Sequence, residues 1–385
     1  MLRGAKQLLT LRGPSGARRG SALQDLSMIE DGSVLIRDGM IVAIGSTRRI
    51  ENLGEAKQAV EIPVHGRLVM PAFIDAGLNL SFNRTGVRSR KKITEFQHEA
   101  MGVFRACLHH GTLWAEVKAQ AHDGDYESVI PALRQLTKFE HNPLWIARTW
   151  RLETACCPDE DIMNRAQQTL SYLVRRKLID FVEVSAADFQ LPTCLSFLKA
   201  AQSLGVGIKA EWSGTSLDCI EGFLPEVLPR SIRVPPELEP AASALLARLP
   251  SVLIFSPGHE FVASSAQRSM LRAAVDNGAA VALSSEYDIG RPTSVSMQMA
   301  LALAVIRMQL SAEEAICAST VNAAWALGVA HRTGTLEAGK HADLMVLSMG
   351  DYRELARQFG INHVAMILRH GKVVLNRTNW RPRTP

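Results

Sequence analysis

The amino-acid sequence predicts an α/β protein: a (β/α)8 TIM barrel joined to a small β-sandwich domain built from both chain termini. Three observations lead there. Apolar strand-like runs alternate with helical runs through the middle of the chain, as parallel βαβ units require. Eight such runs are present, the number that a closed barrel uses. A hairpin signal also stands near each end of the chain. The expected boundaries are 1–67 for the N-terminal part of the β domain, 68–333 for the barrel and 334–385 for the C-terminal part.

In chain order, Lys6 to Leu11 read as a strand and Gly13-Pro14-Ser15-Gly16 as its turn. Residues 34–45 are two β-rich runs joined by Asp38-Gly39, a dipeptide suited to the positive φ angles of a type I′ turn. Residues 364–375 repeat the design with His370-Gly371 at the turn, which makes His370 structural. Between the hairpins, strands are expected at 68–75, 112–117, 144–149, 179–184, 206–211, 231–234, 251–256 and 280–285. Helices are expected near 95–110, with Thr94 and Gln97 as a capping box and Gly111 as the stop. Others fall near 126–139, 159–177, 191–204, 240–249, 263–277, 293–309 and 311–327. In a barrel the functional residues sit at the C-terminal strand ends.

Composition excludes several function classes. Hydrophobic residues make up 47% and charged residues 21% of the 385 positions, ordinary for a folded soluble protein. The net charge is +5 with Lys and Arg dispersed, which reads as a mildly basic surface without a nucleic-acid footprint. The six cysteines show no CxxC spacing and fit buried thiols in a reducing cytoplasm. No apolar run approaches the roughly 18 residues of a membrane span. The first 24 residues carry five basic and no acidic side chains, superficially like a transit peptide, but their strand-and-turn pattern favours the β domain.

The stretches LVMPAFIDAG, HGTLWAEVKA, the block from Asp276 to Gly328, and GTLEAGKHADLMVL are similar to the amidohydrolase superfamily and, within it, to the imidazolonepropionases, which open an imidazolone ring. The resemblance implies a barrel of the metal-dependent hydrolase type, in which an ion lowers the pKa of a bound water and a carboxylate relays protons. It also implies four ligand positions. The two first-strand histidines fall on Gly77 and Asn79, the fifth-strand histidine on Glu211, and the eighth-strand aspartate on Glu286. None keeps its residue, so the zinc or iron site of the family is expected to be lost, with no cofactor in its place. Glu211 and Glu286 are the weak catalytic candidates that remain. With Asn79 they offer oxygen donors, which suit Mg, Ca or Mn better than zinc.

The substrate side departs as well. An arginine that the family uses for a substrate carboxylate falls on Lys92, where the charge survives without the planar fork. With Arg84 and Arg88 it forms a basic run after the first strand, a candidate site for a small anionic metabolite. Lys118, Glu153 and His259 are expected at the barrel mouth, the strand-6 histidine falls near Arg233, and Glu116 with Lys118 is expected as a buried pair. Trp150 and Trp212 are expected to fill part of the old pocket. The pattern points to an intact scaffold without its chemistry: an imidazolonepropionase-like protein, catalytically silent, binding a ligand or a partner. The partner is expected to be a second copy or an active relative, with no nucleic acid and no membrane. The alternative is an active hydrolase of cyclic amide C–N bonds with an atypical ion or none.

Overall fold

A computed structural model describes the chain apart from residues 81–89, 121–124, 140–142, 153–159, 186–191, 213–220, 223, 235–239, 259–267, 289–293 and 382–385. It opens with β1 (Leu2–Leu9), β2 (Met28–Arg37), β3 (Met40–Ser46), β4 (Ile62–Pro63) and β5 (Leu68–Pro71). Asp38 and Gly39 have φ of 51° and 83°, as the β2–β3 turn requires. The run 68–75, expected to be the first barrel strand, divides at Ala72. Its first half, β5, pairs in parallel with β1 in the terminal sheet, and only β6 (Phe73–Asn79) enters the barrel.

The barrel continues with β7 (Thr112–Gln120), β8 (Trp145–Arg151), β9 (Phe181–Ser185), β10 (Gly207–Glu211), β11 (Ser231–Arg233), β12 (Val252–Phe255), β13 (Ala280–Leu283) and β14 (Tyr287–Asp288). Their order in the sheet is β13-β12-β11-β10-β9-β8-β7-β6-β14, all parallel. The two edges, β13 and β14, are successive parts of one segment. Its first part pairs with β12 and its second with β6, so the sheet closes on itself. Helices at 160–175, 192–203, 240–247 and 268–276 fall where the periodicity puts them.

Two helix ends differ from expectation. The helix before β7 is Arg90–His109, so Thr94 and Gln97 lie inside it, and the Gln97 amide donates to Gln135 Oε1 at 2.6 Å instead of capping. The expected helix over 311–327 is two helices, 312–318 and 321–326. Ser319 and Thr320 break it by donating their hydroxyls, each at 2.6 Å, to the carbonyls of Ala315 and Ile316. The first of these helices starts with a capping box of Ser311 and Glu314.

The terminal sheet is completed by β15 (Leu344–Leu347), β16 (Val364–Arg369) and β17 (Lys372–Asn376). Its order is β17-β16-β15-β5-β1-β2-β3, with β4 beside β1. Both termini therefore build it, as the two hairpins require. By strand pairing it is one continuous sheet of eight strands drawn from both ends of the chain. Its core includes Leu2, Leu8, Val34, Val69, Leu344 and Met366. Asp343 fastens it to the barrel by accepting the Trp114 indole N–H at 3.1 Å and the His370 backbone N–H at 2.7 Å. Here His370 is structural, as expected.

The two hairpin turns pack against each other. A Cβ at Gly39 would lie 2.5 Å from the His370 ring, at a φ of 83° that side chains avoid. Gly39→Val is therefore expected to lower stability by about 1–3 kcal/mol in chemical denaturation. Gly54→Ala, whose added methyl meets nothing within 4 Å, is the near-neutral control.

Candidate functional site at the barrel mouth

Strand alternation sorts the barrel residues. Ala115, Val117, Val182, Val184, Ile208 and Ala210 are buried in the apolar shell, while the positions between them carry charge. Glu116, Lys118, Glu183, Lys209 and Glu286 are each no more than 3% exposed, so their charges are taken out of water and must be answered within the protein. They are answered in two tiers.

The lower tier is Glu116 with Lys209, 2.6 Å apart, with the Thr149 hydroxyl donating to the other Glu116 oxygen at 2.5 Å. Burial lowers the Lys209 pKa against the pull of Glu116. The upper tier lies at the C-terminal strand ends. Lys118 pairs with Glu183 at 2.6 Å. Arg151 pairs with Glu211 and stands 4.0 Å from Glu183. Arg233 bridges two acids: one terminal nitrogen reaches Glu211 and the other Glu286, each at 2.5 Å. Cations and carboxylates thus alternate across the mouth from Lys118 to Glu286.

The expected Glu116–Lys118 pair is replaced by these cross-barrel pairs. Residues two apart on one strand point the same way but stand roughly 7 Å from each other, beyond an ion-pair contact. Lys118 finds its partner across β7 and β9 and Arg151 across β8 and β10, alternate strands that meet in layers inside a barrel, while Glu116 on β7 reaches Lys209 on β10.

Burial alone would raise the Glu183 pKa. Lys118, Arg233 and Arg151 more than offset it and hold the carboxyl at about 2. Burial likewise opposes the charge of Arg233, yet Glu286, Glu211 and Glu183 raise its pKa. Three carboxylates therefore act on one guanidinium. Beneath them Asp75 is fully buried, which raises its pKa to about 6 although Ser285, Gly77 and Ser284 hydrogen-bond to it.

The four ligand positions do not assemble a donor set. Gly77 brings no side chain, and a Cβ there would press on Ser284 Oγ at 3.0 Å and touch Lys118 Cε at 3.7 Å. Glu211 is held by Arg151 and Arg233, and Glu286 by Arg233. Asn79 lies in β6, paired with Lys118 and Asp288. Among the described residues no three His, Cys, Asp or Glu side chains come together to hold a metal ion. A transition-metal centre of the hydrolase type does not fit these residues.

Trp150 does not fill the pocket. It packs edge-on against Tyr126 and Phe197, because its parity on β8 faces the helices while Thr149 and Arg151 face inward. Trp212 is buried in the same apolar shell. Charged side chains occupy the mouth. Arg84, Arg88, Glu153, His259 and the Lys92 side chain lie outside the described residues. Arg151, Glu183 and Lys209 are the members that sequence reasoning missed. Their signal was charge at every second position of otherwise apolar strands. A separate cleft of about 570 Å³, bounded by Trp114, Trp145, Arg230 and Arg332 among others, opens at the opposite end of the barrel and contains none of these residues.

Comparison with known proteins agrees with this architecture. An amidohydrolase family profile matches residues 234–374. The imidazolonepropionase of Chloroflexus aggregans is 28% identical, covering 97% of this chain and 98% of its own, and that of Bacillus velezensis is 25% identical with 96% of each chain covered. The chain resembles the amidohydrolase superfamily over its full length. Among solved amidohydrolase-type folds, E. coli guanine deaminase superposes with a TM-score of 0.68 at 16% identity over 98% of this chain and 99% of that one. Atrazine chlorohydrolase from Arthrobacter aurescens, solved with zinc, gives 0.69 at 14% identity over 100% of this chain and 96% of that one. These structures share the fold.

Glu183 sets an acid limit for this amidohydrolase-like barrel. Its folded pKa is depressed, so the stability it contributes is present above pH about 4.5, the ordinary carboxyl value, and is lost as pH falls toward 2. Melting temperature against pH should show this loss in the wild type and less of it in Glu183→Gln.

Proposed function

We propose that the chain is an imidazolonepropionase-like protein that keeps the amidohydrolase scaffold and has given up metal-dependent ring hydrolysis, serving as a ligand-binding or partner subunit. One observation carries this: the two carboxylates at ligand positions, Glu211 and Glu286, are both committed to the Arg233 guanidinium. An ion entering between these two carboxylates would have to displace the arginine that both already contact. A side chain at position 77 would crowd Ser284, which supports the same reading.

Retained recognition of a small anion, through Arg84, Arg88 and Lys92, is part of this proposal, as is assembly with a second copy or an active relative in the cytoplasm. No resident cofactor is needed for either role.

The test is turnover of imidazolone propionate by purified protein, followed by loss of ring absorbance, with Zn²⁺, Fe²⁺ or Mn²⁺ added and metal content measured in parallel. The expected outcome is no turnover above the buffer rate with any ion. Turnover accompanied by one bound transition ion per chain would sink the reading.

A further inference from the structure

We propose that Arg233 is the structural cation of the barrel mouth: its guanidinium supplies, from within the chain, the charge that an ion supplies between fifth- and eighth-strand ligands in a metal-dependent barrel. This rests on reading Glu211 and Glu286 as the equivalents of those ligand positions. It goes further than loss of chemistry, because it says what replaced the ion and why the mouth still closes.

The geometry is that of a bridge. Arg233 ends β11, between β10 with Glu211 and the segment after β13 with Glu286. It gives one terminal nitrogen to each acid at 2.5 Å, so a single planar cation ties strands from two sides of the barrel. Its Nε is buried with no hydrogen-bond partner among the described residues, so the head group is committed to the two acids. Its side chain is only 14% exposed, which leaves little solvent to share the charge.

The charge balance points the same way. Among the described residues Lys118, Arg151 and Arg233 are three cations set against the three carboxylates of Glu183, Glu211 and Glu286. Without Arg233 both Glu211 and Glu286 would lose a charge partner in a site where an uncompensated charge is costly. A guanidinium is broader than a metal ion, so acids spread around it stand too far apart to converge on an ion. That accounts for the absence of a metal-competent cluster among the described residues, even though three carboxylates act on Arg233.

The experiment is thermal melting of the full-length protein and its variants. Wild-type melting temperature should be unchanged by EDTA and by millimolar Mn²⁺ or Zn²⁺. Arg233→Ala should melt about 5–10 °C lower. Millimolar methylguanidinium should restore part of that loss, and methylammonium, which lacks the planar fork, should restore less. If Arg233→Ala does not yield folded protein, Arg233→Met with Glu286→Gln settles the matter. That pair removes one cation and one carboxylate together and should melt closer to wild type than Arg233→Met alone.

Three results would overturn the proposal: an EDTA-sensitive wild type, an Arg233→Ala variant as stable as wild type, or a neutralised pair no more stable than the single variant. Failure here leaves the hydrolysis assay unaffected. An inactive protein with a dispensable Arg233 would remove only this inference, and an active one would remove the functional reading.

Discussion

The mouth of this barrel depends on one guanidinium held between two carboxylates. Arg233 and Glu211 are partly buried and Glu286 is buried, and an ion pair withdrawn from water is stable only while every charge is answered. Glu211 therefore needs Arg151 on its other oxygen, Arg151 leans toward Glu183, and Glu183 needs Lys118. The side chains at the strand ends form one coupled set. Such a set resists piecemeal change, since altering one member strands another in a low-dielectric interior.

The rest of the fold holds that set in place. The barrel closes because the last segment pairs with β12 at its start and with β6 at its end. Between those pairings lie Ser284, Ser285 and Glu286. The serines are drawn onto Asp75, and Glu286, with a φ of 40°, is aimed at Arg233 by a backbone conformation that non-glycine residues seldom adopt. The opposite end of the barrel is tied down from outside. Arg19, from the N-terminal segment, donates to the carbonyls of Ala247 and Leu249 at 2.9 and 2.7 Å, closing off backbone acceptors where a helix ends.

Much of this architecture was legible in the residues. Apolar runs marked the strands, and Asp38-Gly39 and His370-Gly371 marked the hairpins that make the terminal sheet composite. The division at Ala72 was not legible, because Leu68 to Asp75 is one unbroken apolar run and only its pairing partners differ along its length. The roles of Trp150 and Trp212 were misjudged for a related reason: a strand end has two faces, and a large aromatic suits the apolar one. Among the candidate site residues, Glu211 ends β10 and Glu286 follows β13, and Arg233 joins them, a link that residue identity alone did not reveal.

The sequence by itself determined the strand–helix alternation, the composite terminal domain and which residues stand at positions 77, 79, 211 and 286, because these are properties of local pattern and of residue identity. What it left open was which charges meet. Glu116 and Lys118 are neighbours on one strand, yet Lys209 and Glu183, with which they form ion pairs, lie 93 and 65 residues away. Only the closed barrel, which brings side chains from distant strands into one interior, decided those pairings and placed Arg233 between its two acids.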